Sequence, residues 1–600
     1  MSENRLPKRS EVKEEYTWNL KDIFESDEAW NEACEKAAQL PGKIASFAGK
    51  ISQSASDLLA FLKLQDEVEL AMGKVYGYAS LKSDEDTGNS TYQVMKGKAF
   101  NLYVAIMGAG AFATPEIISV SDEKIAGFFK EEPALEEYRR VIEKTRHIKD
   151  HVLSTECETL LAQAREMAEG PDKIGGILRN ADMKYGDVLD SEGKSHPLSS
   201  GTFVLLEESE DRVLRENAFK AAYGKFGELK NTLAAILDAQ FKQLVFFSNA
   251  RKYGSTLEAS LDRTEVPVAV YTNLIEAVHA NLDKMYRYVA LRKKLLGVEE
   301  LHMYDVYASI VPESSMKMTY EDSKKIILEA LSVLGSDYTD LLKTGFNNRW
   351  IDVYENEGKR SGAYSSGASR PHPYVLLNHK DNLDSCFTIA HEMGHALHSY
   401  HSTKYQPVCT SDYVIFVAEV ASTVNEVLLM KYMLSKTTDK KERAYLINHF
   451  LEQFKGTVYR QTMFAEFELA MGQMAEKAET LTADSLCAKY LELNKLYFGP
   501  DMVSDDEIAL EWARIPHFFY DYYVFQYATG FSAAVAIAEK ILTEGEPAVK
   551  AYKKFLSSGS SADPISLLKI AGVDMSTPDP VNAGLKLFGE LVDEMEALVK

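Results

Sequence analysis

The stretch LDSCFTIAHEMGHALHSY, Leu383–Tyr400, holds the most informative spacing in the chain. His391 and His395 stand four residues apart, with Glu392 directly after the first. On a helix, side chains four apart share one face, one turn above each other. Both imidazoles can therefore reach a single zinc ion. Glu392 is rotated away from them, so its carboxylate can address a water on that metal instead. Leu383 to Ala390 is mostly apolar, which suits a buried helix.

A catalytic zinc needs a third protein ligand and an open position. His401 is one candidate, but the chain would have to turn sharply after His395. Glycine normally permits such a turn; here that position is His398. In a straight helix His401 lies about 9 Å along the axis from His395 and cannot share the metal. His398 then reads as a packing residue. The stronger candidate is Glu419, in YVIFVAEVASTVNEVLLM, Tyr413–Met430. Glu419, Ser422, Thr423 and Glu426 form one polar stripe on an otherwise apolar helix. A buried carboxylate is costly unless it is paired or binds metal. Glu426 is placed to accept a hydrogen bond from a ligand histidine.

The chemistry expected of such a site is hydrolysis. Zinc lowers the pKa of a bound water to about 7 and polarises a carbonyl. Glu392 then acts as general base, passing the proton to a leaving amine. The resulting oxyanion needs donors. The segment around His517, with Tyr520, Tyr523 and Tyr527, offers them. Pro516 suits a helix start, which would put the three tyrosines on one helical face.

The rest of the chain narrows the setting. Its 67 Lys and Arg against 90 Asp and Glu give a formal charge of −23, which disfavours nucleic acid and anionic membrane as partners. The cysteines are five, scattered and without CxxC pairing, so a reducing, cytoplasmic compartment is expected. No secretory signal is visible at the N-terminus. The longest apolar run, about Leu102 to Ala113, is short of the ~20 residues that span a bilayer and reads as a buried helix.

Most of the sequence has helical periodicity, clearest over Leu59–Leu81 and Val268–Leu296. Two regions break it. Asp182–Phe203, with its Ser191-Glu192-Gly193 turn signal, suggests a short hairpin. Trp350–Tyr354, Gly362–Ser366 and Tyr374–Asn378 read as strands of a small sheet just before the HEMGH segment. The expected fold is mainly α, with an N-terminal helical lobe over 1–200 and a catalytic lobe over 201–600. Tyr374–Asn378 is expected to be an exposed edge that pairs with an extended peptide, the alternative being an internal strand paired on both sides.

HEMGHALHSY with FVAEVASTVNE downstream resembles the oligoendopeptidase F family of thimet-type zinc oligopeptidases. LRKKLLGVEELHMYDVY, SGAYSSG followed by PYVLLN, RIPHFFYDYYVFQYATG and the terminal AGVDMSTPDP resemble it in the same order. The resemblance implies two helical lobes enclosing a deep substrate channel, and endopeptidase cleavage of short unstructured oligopeptides. It implies one zinc per chain on His391, His395 and Glu419, with Glu392 as base. His517 and Tyr527 become the transition-state donors, with Tyr520 the other candidate and Tyr523 in reserve. The competing functions are a zinc carboxypeptidase, needing a basic residue such as Arg349, Arg360 or Arg514 for the terminal carboxylate, and a non-catalytic peptide-binding protein.

Overall fold

The computed structural model describes residues 5–312, 317–367 and 372–599. Among these the protein is mainly helical, with small two- and three-stranded sheets. The chain forms two compact units, each assembled from three stretches. One takes Met1–Asp150, Met316–Tyr432 and Ile537–Gly572; the other takes His151–Ser315, Met433–Ala536 and Val573–Lys600. A single division at residue 200 does not describe this packing. Periodicity reports which face of a helix is buried, not which distant helix buries it.

In the first unit, the helix Ala55–Glu85 starts at Ser54, whose hydroxyl accepts from the Asp57 N–H at 3.2 Å. It buries Leu58, Phe61, Leu62, Val75 and Leu81. The helix Ser90–Gly110 packs on it and buries Met95, Ala99 and Ile106. The buried helix expected over Leu102–Ala113 is realised on that face alone: Phe100, Tyr103, Val104 and Met107 stay exposed. A run that is apolar on all sides does not disclose which side is covered. By length and composition, Ser90–Ser119 is the one stretch among the described residues that could cross a membrane, so the run is longer than the sequence reading allowed. A turn at Ala111–Phe112 interrupts it.

The three expected strands form one sheet, in the order Ile351–Asp352, Tyr374–Leu376, Tyr364–Ser366. Tyr374–Leu376 is the central strand. It runs parallel to Ile351–Asp352, with Ile351 opposite Val375, and antiparallel to Tyr364–Ser366, with Ser365 opposite Val375. Its residues are fully buried. The edge strand expected over Tyr374–Asn378 is therefore an internal one, and its continuous apolar run is the mark of burial on both faces. Asp352 anchors the sheet: buried Lys359 lies 2.7 Å from its carboxylate, and Arg9 donates to it at 2.8 Å. Burial pushes that carboxyl up, but the hydrogen bonds and charges of Arg9 and Lys359 hold it below the usual range.

In the second unit, Asp187–Leu189 and Ser195–Pro197 pair as the expected antiparallel hairpin, with Gly193 at φ +79° in its turn. The helix expected over Val268–Leu296 is two helices, Val268–His279 and Leu282–Leu296. Asn281 breaks it, donating from its side-chain amide to the Ala277 carbonyl at 2.7 Å. Both helices bury a face, so their apolar spacing runs on across the break.

Candidate metal centre

The HEMGH helix spans Leu383–Tyr405, starting at Asn382, whose side chain accepts from the Ser385 N–H at 2.9 Å. The Glu419 helix, Ile415–Lys436, packs against it. The contact is close because Gly394 has no side chain: a Cβ there would meet the Ser422 Cα at 2.5 Å. Asn425 fixes the alignment. Its amide donates to the Ala390 carbonyl at 3.1 Å, and its oxygen accepts from Tyr338 at 2.9 Å.

This docking turns the polar stripe toward the histidines rather than toward solvent. Ser422 and Thr423 are buried. Glu419 Oε2 lies 3.4 Å from His391 Nε2 and 3.5 Å from His395 Nε2, and the two nitrogens are 3.2 Å apart. Ligands held at about 2.0–2.2 Å by a tetrahedral ion lie about 3.3–3.6 Å from one another. The donor set, two imidazoles and one carboxylate, therefore fits zinc in both chemistry and spacing. Among the described residues these three are the cluster able to hold a metal.

Glu426 lies 2.5 Å from His391 Nδ1, the orienting position expected for it. That bond leaves Nε2 of His391 for a metal. Burial pushes Glu419 up, but hydrogen bonds from both histidines hold its carboxyl well below the usual range. Glu392 is buried, with Oε2 lacking a hydrogen-bond partner among the described residues. Burial raises its carboxyl, against the pull of His391 and His395.

The other two histidines of the helix stand apart from this cluster. His398 is buried and stacks on Tyr413 at 3.8 Å between ring centroids. His401 follows in the same unbroken helix, beside the ring of Tyr405, and burial lowers its pKa to about 4. Sequence reasoning missed Gly394 and Asn425 as the residues that set the helix spacing. An asparagine within a run as apolar as Val424–Met430 was the available signal.

His517, Tyr520, Tyr523 and Tyr527 belong to the second unit. The single helical face expected for the tyrosines does not form. Pro516–Phe519 is one short helical turn, Asp521 and Tyr522 take left-handed φ of 53° and 62°, and the next helix starts at Phe525. The left-handed pair is held by its own contacts. Tyr522 bonds Thr256 at 2.7 Å, and its N–H donates to Glu468 at 3.1 Å. Gly472 leaves room for the Tyr522 hydroxyl, which would lie 1.8 Å from a Cβ there. The break still gathers the rings. His517 is 5.4, 6.4 and 6.0 Å from Tyr520, Tyr523 and Tyr527, centroid to centroid.

A mainly helical protein whose HExxH histidines meet a glutamate from the following helix has the make-up of a metallopeptidase. The chain belongs to peptidase family M3, whose model matches residues 205–587; a second model, described as Oligopeptidase F, matches residues 116–185. It is an enzyme, an oligopeptidase of that family. Oligopeptidase PepF of Bacillus subtilis (strain 168) is 47% identical over 99% of this chain and 89% of its own length. Oligoendopeptidase-F from Enterococcus faecium superposes with a TM-score of 0.75 at 37% identity, covering 96% of this chain and 99% of that one. A solved structure from Chlamydophila abortus gives 0.93 at 34% identity, over 99% and 100%. The family and the mainly helical fold implied by the sequence resemblance are borne out.

Proposed function

We propose that this oligopeptidase is a zinc endopeptidase that cuts internal bonds of short, unstructured peptides. The observation that carries the reading is the convergence of His391, His395 and Glu419 at 3.2–3.5 Å, beside the buried carboxylate of Glu392. Zinc held by these three residues would polarise the scissile carbonyl and lower the pKa of a water to about 7. Glu392 takes the proton of the attacking water and delivers it to the leaving amine. Glu426 keeps the His391 ring in place. His517 and Tyr527 donate to the developing oxyanion, with Tyr520 as the other candidate and Tyr523 in reserve.

The peptide binds as an extended strand. Because Tyr374–Leu376 is internal, the pairing strand becomes Tyr364–Ser366, which pairs with one strand only among the described residues. Main-chain pairing selects unfolded peptides over folded proteins. The five cysteines are free, which supports the expected cytoplasmic setting.

The carboxypeptidase reading loses support from its arginines. Arg349 donates to Glu14, Arg360 to Asp84 and Arg514 to Glu511. A non-catalytic binding protein has no need of the Glu392 carboxylate. Digestion of a peptide blocked at both ends decides the matter. Mass spectrometry should find internal cleavage that a chelator abolishes and zinc restores; no cleavage of the blocked peptide would favour the exopeptidase.

A further inference from the structure

Arg179 stands apart from the other buried and half-buried arginines of the second unit. It is 9% exposed, yet among the described residues its guanidinium makes no hydrogen bond and no ion pair. Its counterparts in the same unit are matched: Arg215 with Asp305, Arg292 with Glu452, and Arg460 and Arg514 with Glu511. A buried charge without a counter-ion is costly. The fold nevertheless builds the position. Arg179 sits in a π-helical turn, Leu178–Asp182, that follows the helix Gly170–Ile177; such turns recur at functional sites. Its guanidinium carbon lies 4.9 Å over the Phe519 ring. Gly175 makes space for it, since a Cβ there would come 3.2 Å from Nη1 and 3.4 Å from Phe519.

The guanidinium lines a cavity of about 650 Å³, together with Lys173, Arg514 and Tyr520. Asp172 also lines it and is the acid that acts on Arg179 from a distance, but the pair is not in contact. Arg514 is already matched by Glu511, so the charge open to a ligand there is that of Arg179, with exposed Lys173 beside it. Tyr520 follows Phe519 directly and belongs to the His517 ring cluster. The cavity thus abuts the segment proposed to donate in the reaction.

We infer that this cavity is a carboxylate-binding subsite of the peptidase, in which Arg179 receives a carboxylate of the bound peptide. The inference rests on the peptidase reading and adds a substrate preference to it. A planar guanidinium pairs with a carboxylate through two parallel N–H···O bonds, and ring stacking beneath leaves its edge free to do so. The carboxylate is either the C-terminal one or an Asp or Glu side chain, and the two sources are separable by peptide design.

The test is peptide binding by calorimetry to Glu392→Gln enzyme loaded with zinc, so that it does not depend on turnover. An N-acetylated peptide with a free C-terminus is compared with its C-terminal amide, and a Glu-containing peptide with its Gln counterpart. In one of the two pairs the carboxylate form should bind about 10-fold or more tighter, as charge-assisted hydrogen bonds allow. The pair that discriminates identifies the source. Adding Arg179→Gln should bring that ratio close to one; because each ratio is taken within one protein, a general loss of folded enzyme cancels. Should Arg179→Gln not fold, Arg179→Lys decides, since it keeps the charge but loses the two-pronged geometry and should reduce the ratio. Equal binding of both pairs, absence of peptide binding, or a ratio unmoved by the Arg179 variants would overturn the proposal. The endopeptidase reading fails separately, on product positions from the active enzyme.

Discussion

A Cβ on Gly394 would stand 2.5 Å from the Cα of Ser422 and 2.8 Å from the carbonyl oxygen of Ala421. Two helices separated in sequence by a loop are thereby brought into backbone contact at the residue directly before His395. The same contact sets how far Glu419 stands from both imidazoles. Backbone atoms cannot swing aside as a flexible side chain can, so the helices would have to separate. Gly394→Ala should therefore destabilise at or above the upper end of the range of about 1–3 kcal/mol usual for overpacking. Zinc affinity should fall with it. Thermal unfolding and metal titration check both; an unchanged melting temperature would show that the helices have slack here.

Metal analysis separates the candidate third ligands. Glu419→Ala should lose the zinc, while His401→Ala should retain one per chain. Glu426→Gln keeps all three ligands but weakens the hold on the His391 ring, so zinc affinity should drop about 10–100-fold. Competition with a chromogenic chelator measures this. Zinc retained by Glu419→Ala and lost by His401→Ala would reverse the assignment.

Glu392→Gln preserves shape and removes the base. It should bind zinc as the parent does and lose at least about 10²–10⁴-fold in kcat. A kcat near that of the parent would take Glu392 out of the mechanism.

The oxyanion donors are distinguished by single hydroxyl deletions. Tyr527→Phe should lower kcat more than it raises KM, as expected of a donor used in the transition state. His517→Ala should do the same. If Tyr527→Phe leaves kcat unchanged and Tyr520→Phe or Tyr523→Phe lowers it sharply, the role passes to that tyrosine.

Local spacing was enough to expose the candidate metal site. His391 and His395 are four residues apart on one helix, and Glu419 lies in a helix too apolar for a charge to be left unpaired. Each of these facts is set within a few turns of chain, and helical geometry converts them into side-chain direction. The hairpin at Asp187–Pro197 and the three strand segments were legible for the same reason, since turn residues and apolar runs act locally. Pairing was not. Whether Tyr374–Leu376 lies at an edge depends on Ile351–Asp352 and Tyr364–Ser366 arriving on its two sides. The tyrosine segment was misread because Tyr522 is held left-handed by Thr256 and Glu468, far away in sequence. Arg179 gave no signal at all: an arginine shows itself as unpaired only when every element that could have answered its charge is in place. What the sequence determined was the direction of side chains along single helices; which distant backbone or charge meets them was decided by tertiary packing, because those contacts join residues that no local periodicity connects.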